Sequence, residues 1–370
     1  MSSPLPEPVC WLTMINESGL KLSQLKPIIY RWCVAEKRPL AEIFDLSPLD
    51  WGAMFGLPDA AVNRLQKLPG RFSAYARRLA EWQEAGLQVI IRTDPRYPSR
   101  LSRKLPPIQQ PLVLWVQGDA ALLDEPSVAV LGSTAGEPAS DSWLSNLLQT
   151  LAGEEILLAS GYSRGLDRSA CEMMLSLPEG KAVILLPMGI TAFNQTTGRL
   201  QPAVQAGRAV LVSPFAPDTA YDEKLAEARN LLLDHLAIAL LIPQADPTVV
   251  DRTTAAIDRN TPVFLGLTDS LTDSHRTLLE AGAYLLTDPG EVVEMVQQTI
   301  IDAALQEQND TPAPSPAPTA SPAPTDTDDD FALRVEDVGL IDSQEALEIL
   351  SLGGEVPEIL RRRLKKSQNE

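Results

Sequence analysis

The sequence predicts an α/β protein: a Rossmann-like, doubly wound, mostly parallel sheet, preceded by a small all-helical domain of the SAM or helix-hairpin-helix kind. Three observations predict it. From 127 to about 287, short apolar runs alternate with helical patterns, as in a parallel sheet covered on both faces. Residues 9–85 carry only short helical patterns punctuated by proline and glycine. Within Ser127–Leu175 the chain reads strand, helix, strand, loop, helix, and both strands end at small-residue turns.

The first unit spans 1–86. Ser47-Pro48 and Leu57-Pro58-Asp59 mark helix starts, because proline in a first turn sacrifices no hydrogen bond. LDWGAMFGLPDAAVNRL then gives two small helices around a tight Gly-Leu-Pro turn. Such pairs can grip a nucleic-acid backbone but more often simply pack as a helical domain. Arg71, Arg77 and Arg78 on the next helix read as a solvated face.

The second unit spans 87–300. It opens with a strand, LQVIIRT at 87–93, and a proline-rich irregular stretch follows (Pro95, Pro98, Pro106, Pro107, Pro111). That stretch ends in a second strand, LVLWVQG at 112–118. Arg92, Arg96, Arg100, Arg103 and Lys104 fall within 13 positions, the densest basic patch before the C-terminus. Further strands are expected at 128–132, 155–159, 181–186, 209–212, 237–242, 262–265 and 283–286, with helices between. Residues 301–330, rich in Pro, Ala, Thr and Asp, read as a disordered, stiff linker. Residues 331–370 read as a short helical tail with a basic end.

Composition narrows the function classes. The net charge is −18, unevenly spread. Residues 1–104 hold 15 basic and 10 acidic side chains, 105–300 hold 10 and 24, and 301–370 hold 6 and 15. The central unit is therefore a poor generic nucleic-acid surface, and phosphate must be attracted by a local patch or by the N-terminal region. Cys10, Cys33 and Cys171 are far apart, which disfavours disulfides and zinc and fits a reduced cytoplasm. The first residues lack the basic and apolar pattern of a signal peptide, and no apolar run spans a membrane. No Walker A motif and no Gly-x-Gly-x-x-Gly after a strand is present, so no nucleotide cofactor is expected. His235 and His275 have no acid and nucleophile near them in sequence, so Ser-His-Asp chemistry has no support.

Two turns can face an anion. Gly132-Ser133-Thr134 offers close backbone approach and hydroxyl donors, although an ordinary strand–helix turn looks the same. Ser160-Gly161-Tyr162-Ser163-Arg164-Gly165-Leu166-Asp167 is more specific: two glycines bracket a loop with two serines and an arginine. Asp167 also fits a plain role, capping N–H groups in the first helical turn, with Arg164 as its ion-pair partner. Arg229-Asn230 carries little information by itself, and Tyr162 is the aromatic placed to stack on a base.

Taken together, residues 9–290 resemble the DprA/Smf family of DNA-processing proteins. The resemblance rests on Tyr97-Pro98 and Leu101, LVLWVQG, VAVLGS, SGYSRGLD followed by Ala170, AVILLPMGI, Asn194, Gly207, LVSPF, Arg229-Asn230 and Gly282-Ala283. It implies a non-enzymatic, dimeric protein that binds single-stranded DNA and loads a RecA-type recombinase during natural transformation. The family's arginine after its first Gly-Ser is Thr134 here, its histidine after the Gly-Ile-Asp turn is Cys171, and its second arginine of Arg-Asn-Arg is Leu231. Its later Ser-Gly turn is not recognisable near 251–254, and the tail does not resemble a winged helix. The expected phosphate site is Gly132, Ser133, Thr134, Ser160, Gly161, Ser163, Arg164, Gly165, Asp167, Arg229 and Asn230. The expected partners are single-stranded DNA, the recombinase and a second copy of the chain, with no membrane. Two alternatives stand beside this: a protein-interaction scaffold with a weakened DNA site, and a nucleotide-binding or phosphoribohydrolase-like protein. The latter's Pro-Gly-Gly-x-Gly-Thr-x-x-Glu motif is not in this sequence.

Overall fold

A computed structural model describes residues 5–132, 142–266, 271–286 and 288–309. The N-terminal helices are α1 (Glu7–Glu17), α2 (Leu22–Ile29, continued by a π turn to Ala35), α3 (Pro48–Phe55), α4 (Asp59–Leu65) and α5 (Phe72–Glu84). Both expected starts are found. The Ser47 hydroxyl accepts from the Asp50 N–H, and the Asp50 carboxylate accepts from the Ser47 N–H, a reciprocal cap. Gly56 then ends α3 in the left-handed region at φ 61°, where a side chain is strained. Trp11, Trp32 and Trp51 fill the core of these helices.

The nine expected strands all appear: β1 (Leu87–Ile91), β2 (Val113–Gly118), β3 (Ser127–Val130), β4 (Leu157–Ser160), β5 (Ala182–Leu185), β6 (Ala209–Ser213), β7 (Ala239–Ile242), β8 (Val263–Gly266) and β9 (Tyr284–Leu286). They form one sheet, ordered β1-β2-β6-β5-β4-β3-β7-β8-β9. β1 pairs antiparallel with β2, and β2 with β6; the other pairs are parallel. The chain winds outward from β3 to β6, then returns to place β7 on the other side of β3. Loops leaving β3 and β7 diverge at that point, where doubly wound sheets open a crevice at their carboxyl ends. One boundary shifts for a local reason. The strand expected from 155 begins at Leu157, because Glu155 takes φ 57° to turn out of the preceding helix.

The connecting helices are α6 (Ser99–Lys104), α7 (Ser142–Gly153), α8 (Leu166–Ser176), α9 (Ile190–Thr196), α10 (Gln201–Gln205), α11 (Glu223–Leu236), α12 (Pro247–Asp258), α13 (Asp273–Ala281) and α14 (Pro289–Asn309). Strand alternation divides them into two layers. Val128 and Val130 face a core shared with α7, α8, α14 and the N-terminal helices. Ala129 and Leu131 face the other core, with α6, α11, α12 and α13. The expected first unit ends at the turn between α5 and β1, yet its core is continuous with the sheet's. Trp82 of α5 meets Trp115 of β2 edge to face, with ring centroids 4.6 Å apart. α14 runs to Asn309, so the first residues of the expected linker (301–330) are helical. The rest of that linker and the expected tail (331–370) lie outside the described residues.

Three of the five basic residues in 92–104 are spent on this architecture. Arg92 bonds Gln110 and lies over the Tyr97 ring, and Arg96 pairs with Asp94 at 2.7 Å. Arg100 donates to the Leu236 and Ala237 carbonyls at 2.9 and 3.2 Å, capping the end of α11.

Burial makes two predictions about stability. Trp115→Ala removes a ring that joins the helices to the sheet. Urea unfolding is expected to show a loss of about 3–5 kcal/mol. Both histidines are buried: His235 Nδ1 lies 2.8 Å from the Leu231 carbonyl, and His275 Nδ1 lies 2.8 Å from the Thr272 hydroxyl. Burial lowers both pKa values from the usual histidine value. Each therefore contributes stability above about pH 6.5 that is lost as pH falls through the depressed folded-state pKa. Unfolding free energy should fall from pH 7 towards pH 5, and more shallowly in a His235→Gln, His275→Gln double variant.

Candidate nucleic-acid interface

The expected phosphate site lies at the carboxyl ends of β3, β4 and β5. β3 passes through Leu131, whose N–H donates to the Leu241 carbonyl at 2.9 Å, and reaches Gly132. A Cβ on Gly132 would sit 3.1 Å from Leu166 Cβ, so glycine here lets the start of α8 pack against the first turn. Ser133 and Thr134 lie outside the described residues.

The second turn is fixed by two side chains. The first is Asp167, in the opening turn of α8. Its carboxylate accepts from the Ser160 hydroxyl at 2.6 Å and from the Ser163 N–H at 2.9 Å. Ser160 Oγ in turn accepts from the Tyr162 N–H at 2.9 Å. Asp167 therefore ties the loop to the helix and does not pair with Arg164. Tyr162 takes φ 51° and Gly165 φ 83°, ψ −142°, a region in which only glycine is unstrained.

The second is Arg229 of α11. It is 2% exposed. It donates to the Gly161 carbonyl, to the Leu185 carbonyl at 3.0 Å, to Ser163 Oγ at 2.9 Å and to Asn230 Oδ1 at 3.0 Å. Those bonds occupy four of the five N–H donors of a guanidinium. Burial brings its pKa down to about 10, so the cation persists at neutral pH. Expected from the sequence among the phosphate ligands, Arg229 instead braces the loop after β4 against the end of β5. A Cβ on Gly161 would fall 2.1 Å from Arg229 Nη1, which makes glycine there a condition of the bridge.

Ser160, Gly161, Ser163, Asp167, Arg229 and Asn230 thus form one hydrogen-bonded network, with Gly165 in the same loop and Gly132 beside it through Leu166. Arg164 stands apart at the mouth of the loop. It is exposed and makes no hydrogen bond or ion pair among the described residues. Tyr162 is not available to stack on a base. It is buried, lies edge-on to Phe193 at 5.9 Å, and donates its hydroxyl to Glu172 at 2.7 Å. Arg168, which sequence reasoning missed, lies over the Tyr162 ring at 4.8 Å and donates to the Tyr162 carbonyl at 3.3 Å. Its Nε is buried without a partner among the described residues. The signal available was its spacing, four residues after Arg164 beside a helix start. Cys171, at the family's histidine position, is fully buried, and burial pushes its thiol pKa well up. No group of three or more His, Cys, Asp or Glu among the described residues could hold a metal.

A doubly wound sheet whose loop after β4 is braced at the carboxyl edge by Asp167 and Arg229 defines a Rossmann-like protein. Within that class the chain belongs to the DNA recombination-mediator protein A family, whose model matches residues 88–297. It is 27% identical to protein Smf of Escherichia coli over 241 residues, covering 61% of this chain and 63% of Smf, less than two thirds of that relative. It is 26% identical to the DNA processing protein DprA of Streptococcus pneumoniae over 292 residues, 75% of this chain and 95% of that one. The X-ray structure of the S. pneumoniae protein superposes with a TM-score of 0.58 at 22% identity, covering 76% and 96% of the two chains. That likeness establishes the shared fold.

Arg229→Met should orphan two buried carbonyls, at about 1–3 kcal/mol each. Thermal unfolding is expected to show this loss. Proteolysis should begin within 161–165 in the variant and not in the parent.

Proposed function

We propose that this protein binds single-stranded DNA, without catalysis, along the rim formed by the turns after β3 and β4. It hands that DNA to a RecA-type recombinase, works as a homodimer and resides in the cytoplasm. Family membership supports the recombination role. The observation that carries the binding site is Arg164, an exposed cation without a partner among the described residues, on a loop whose backbone is fixed from behind by Asp167 and Arg229. Phosphate meets Arg164 together with the hydroxyls of Ser133, Thr134 and Ser163 and the N–H groups of Ser133 and Thr134. Arg229 acts through the loop and not on the DNA.

The non-catalytic reading has its own support. The Ser160 hydroxyl is committed to Asp167, Ser163 Oγ accepts from Arg229, and Cys171 is buried with a raised pKa. None is an activated nucleophile. The acidic balance of residues 105–300 also limits generic attraction to DNA, so binding depends on this local site.

Fluorescence anisotropy with a labelled oligo(dT), titrated across salt concentrations, tests the proposal. Binding should weaken as salt rises. Arg164→Ala should bind more weakly and reduce the log–log salt slope by about 0.7, the value of one neutralised phosphate on a single strand. Absence of binding at low salt, or a variant indistinguishable from the parent, would overturn it.

A further inference from the structure

A cavity of about 400 Å³ lies in the joint between the N-terminal helices and the sheet, away from the rim. α1, α2, β2, the loop after β6 and α11 wall it. Its size falls in the range of small-molecule sites, roughly 300–1,000 Å³. The walls are mainly apolar, with Leu12, Trp115, Phe215 and Leu225 among them. Asn16, Gln109, Thr219 and Lys26 are its polar lining residues.

One charged group lines this space. Lys26 of α2 is only 7% exposed. Its ammonium donates to the Ile108 carbonyl, which leaves two N–H donors. No carboxylate among the described residues lies within ion-pair distance of it. Burial lowers its pKa to about 8, so it is mostly protonated at neutral pH. The other strongly buried charged side chains among the described residues are matched: Arg229 meets four acceptors, and buried Asp234 meets Arg252 at 2.9 Å. A buried cation lining a mainly apolar cavity, with a carbonyl but no counter-charge beside it, is costly until an anion arrives.

We propose that this cavity binds a small amphipathic monocarboxylate. The carboxylate sits on Lys26 Nζ, and the hydrocarbon or aromatic body lies against Trp115, Phe215 and Leu225. Lys26 supplies the preference for an acid, and the apolar walls supply the preference for a chain or ring.

The test uses the full chain, with octanoate and 4-phenylbutyrate as probes and octanamide as the uncharged counterpart. Tryptophan fluorescence and thermal unfolding are the readouts, since Trp115 lines the site and a ligand of the folded state raises Tm. The expected result is saturable binding of at least one acid, with octanamide at least tenfold weaker than octanoate. Lys26→Met should erase the difference between octanoate and octanamide. Ala228→Phe, which fills the space from α11, should abolish binding of both. If Lys26→Met does not fold by circular dichroism, the acid–amide comparison in the parent and the Ala228→Phe variant decide the matter. No saturable binding of either acid, equal binding of octanoate and octanamide, or unchanged binding in Ala228→Phe would overturn the proposal.

Discussion

Arg229 reaches from α11 across the carboxyl edge of the sheet and holds Gly161, Leu185 and Ser163 at once. Parallel strands end in carbonyls that lack a further strand residue to bond, and loops leaving such ends are free to sag. Here one buried cation satisfies two of those carbonyls and one loop hydroxyl. Asp167 holds the same loop from the helix side, through Ser160 and Ser163. The loop is therefore clamped between a carboxylate and a guanidinium. Arg164, the exposed side chain of that loop, inherits its position from the clamp.

The same economy governs the joint with the N-terminal helices. Trp82 and Trp115 share an edge-to-face contact, so the helices extend the sheet's core and do not form a free module. Arg100, far from any nucleic-acid role, closes the end of α11. α11 thus has its C-terminus fixed by Arg100, its middle committed to the loop through Arg229, and Ala228, Leu231 and Leu232 along the cavity wall. One helix spans the distance between joint and rim.

Much of the fold was legible in the sequence because strands buried on both faces read as continuous apolar runs. AVILL, AVLVS and LAIALLI could be assigned from composition alone. The antiparallel attachment of β1 and β2 was not legible, since a proline-rich connection is compatible with either direction. Of the candidate site, the second turn was legible as a loop that opens a helix, because two glycines bracket two serines and an arginine at a strand end. The part played by each charged side chain was not. Arg229 is 68 residues from Gly161, and nothing in an Arg-Asn pair tells a phosphate ligand from a brace. The arginines at 92–104 were opaque for the same reason: their acceptors are main-chain carbonyls and scattered side chains, which sequence spacing does not reveal. Tyr162 looked like a stacking surface only until its left-handed backbone turned the ring inward.

Gly161 and Arg229 occupy the same volume in alternative ways. A methyl group at 161 would stand where the guanidinium nitrogen now lies. Neither position can drift alone without penalty, but a small residue at 229 would open room for a side chain at 161. The two should be inherited as a pair: lineages that lose the arginine gain freedom at the glycine, and a deleterious alanine at 161 has its natural suppressor 68 positions downstream.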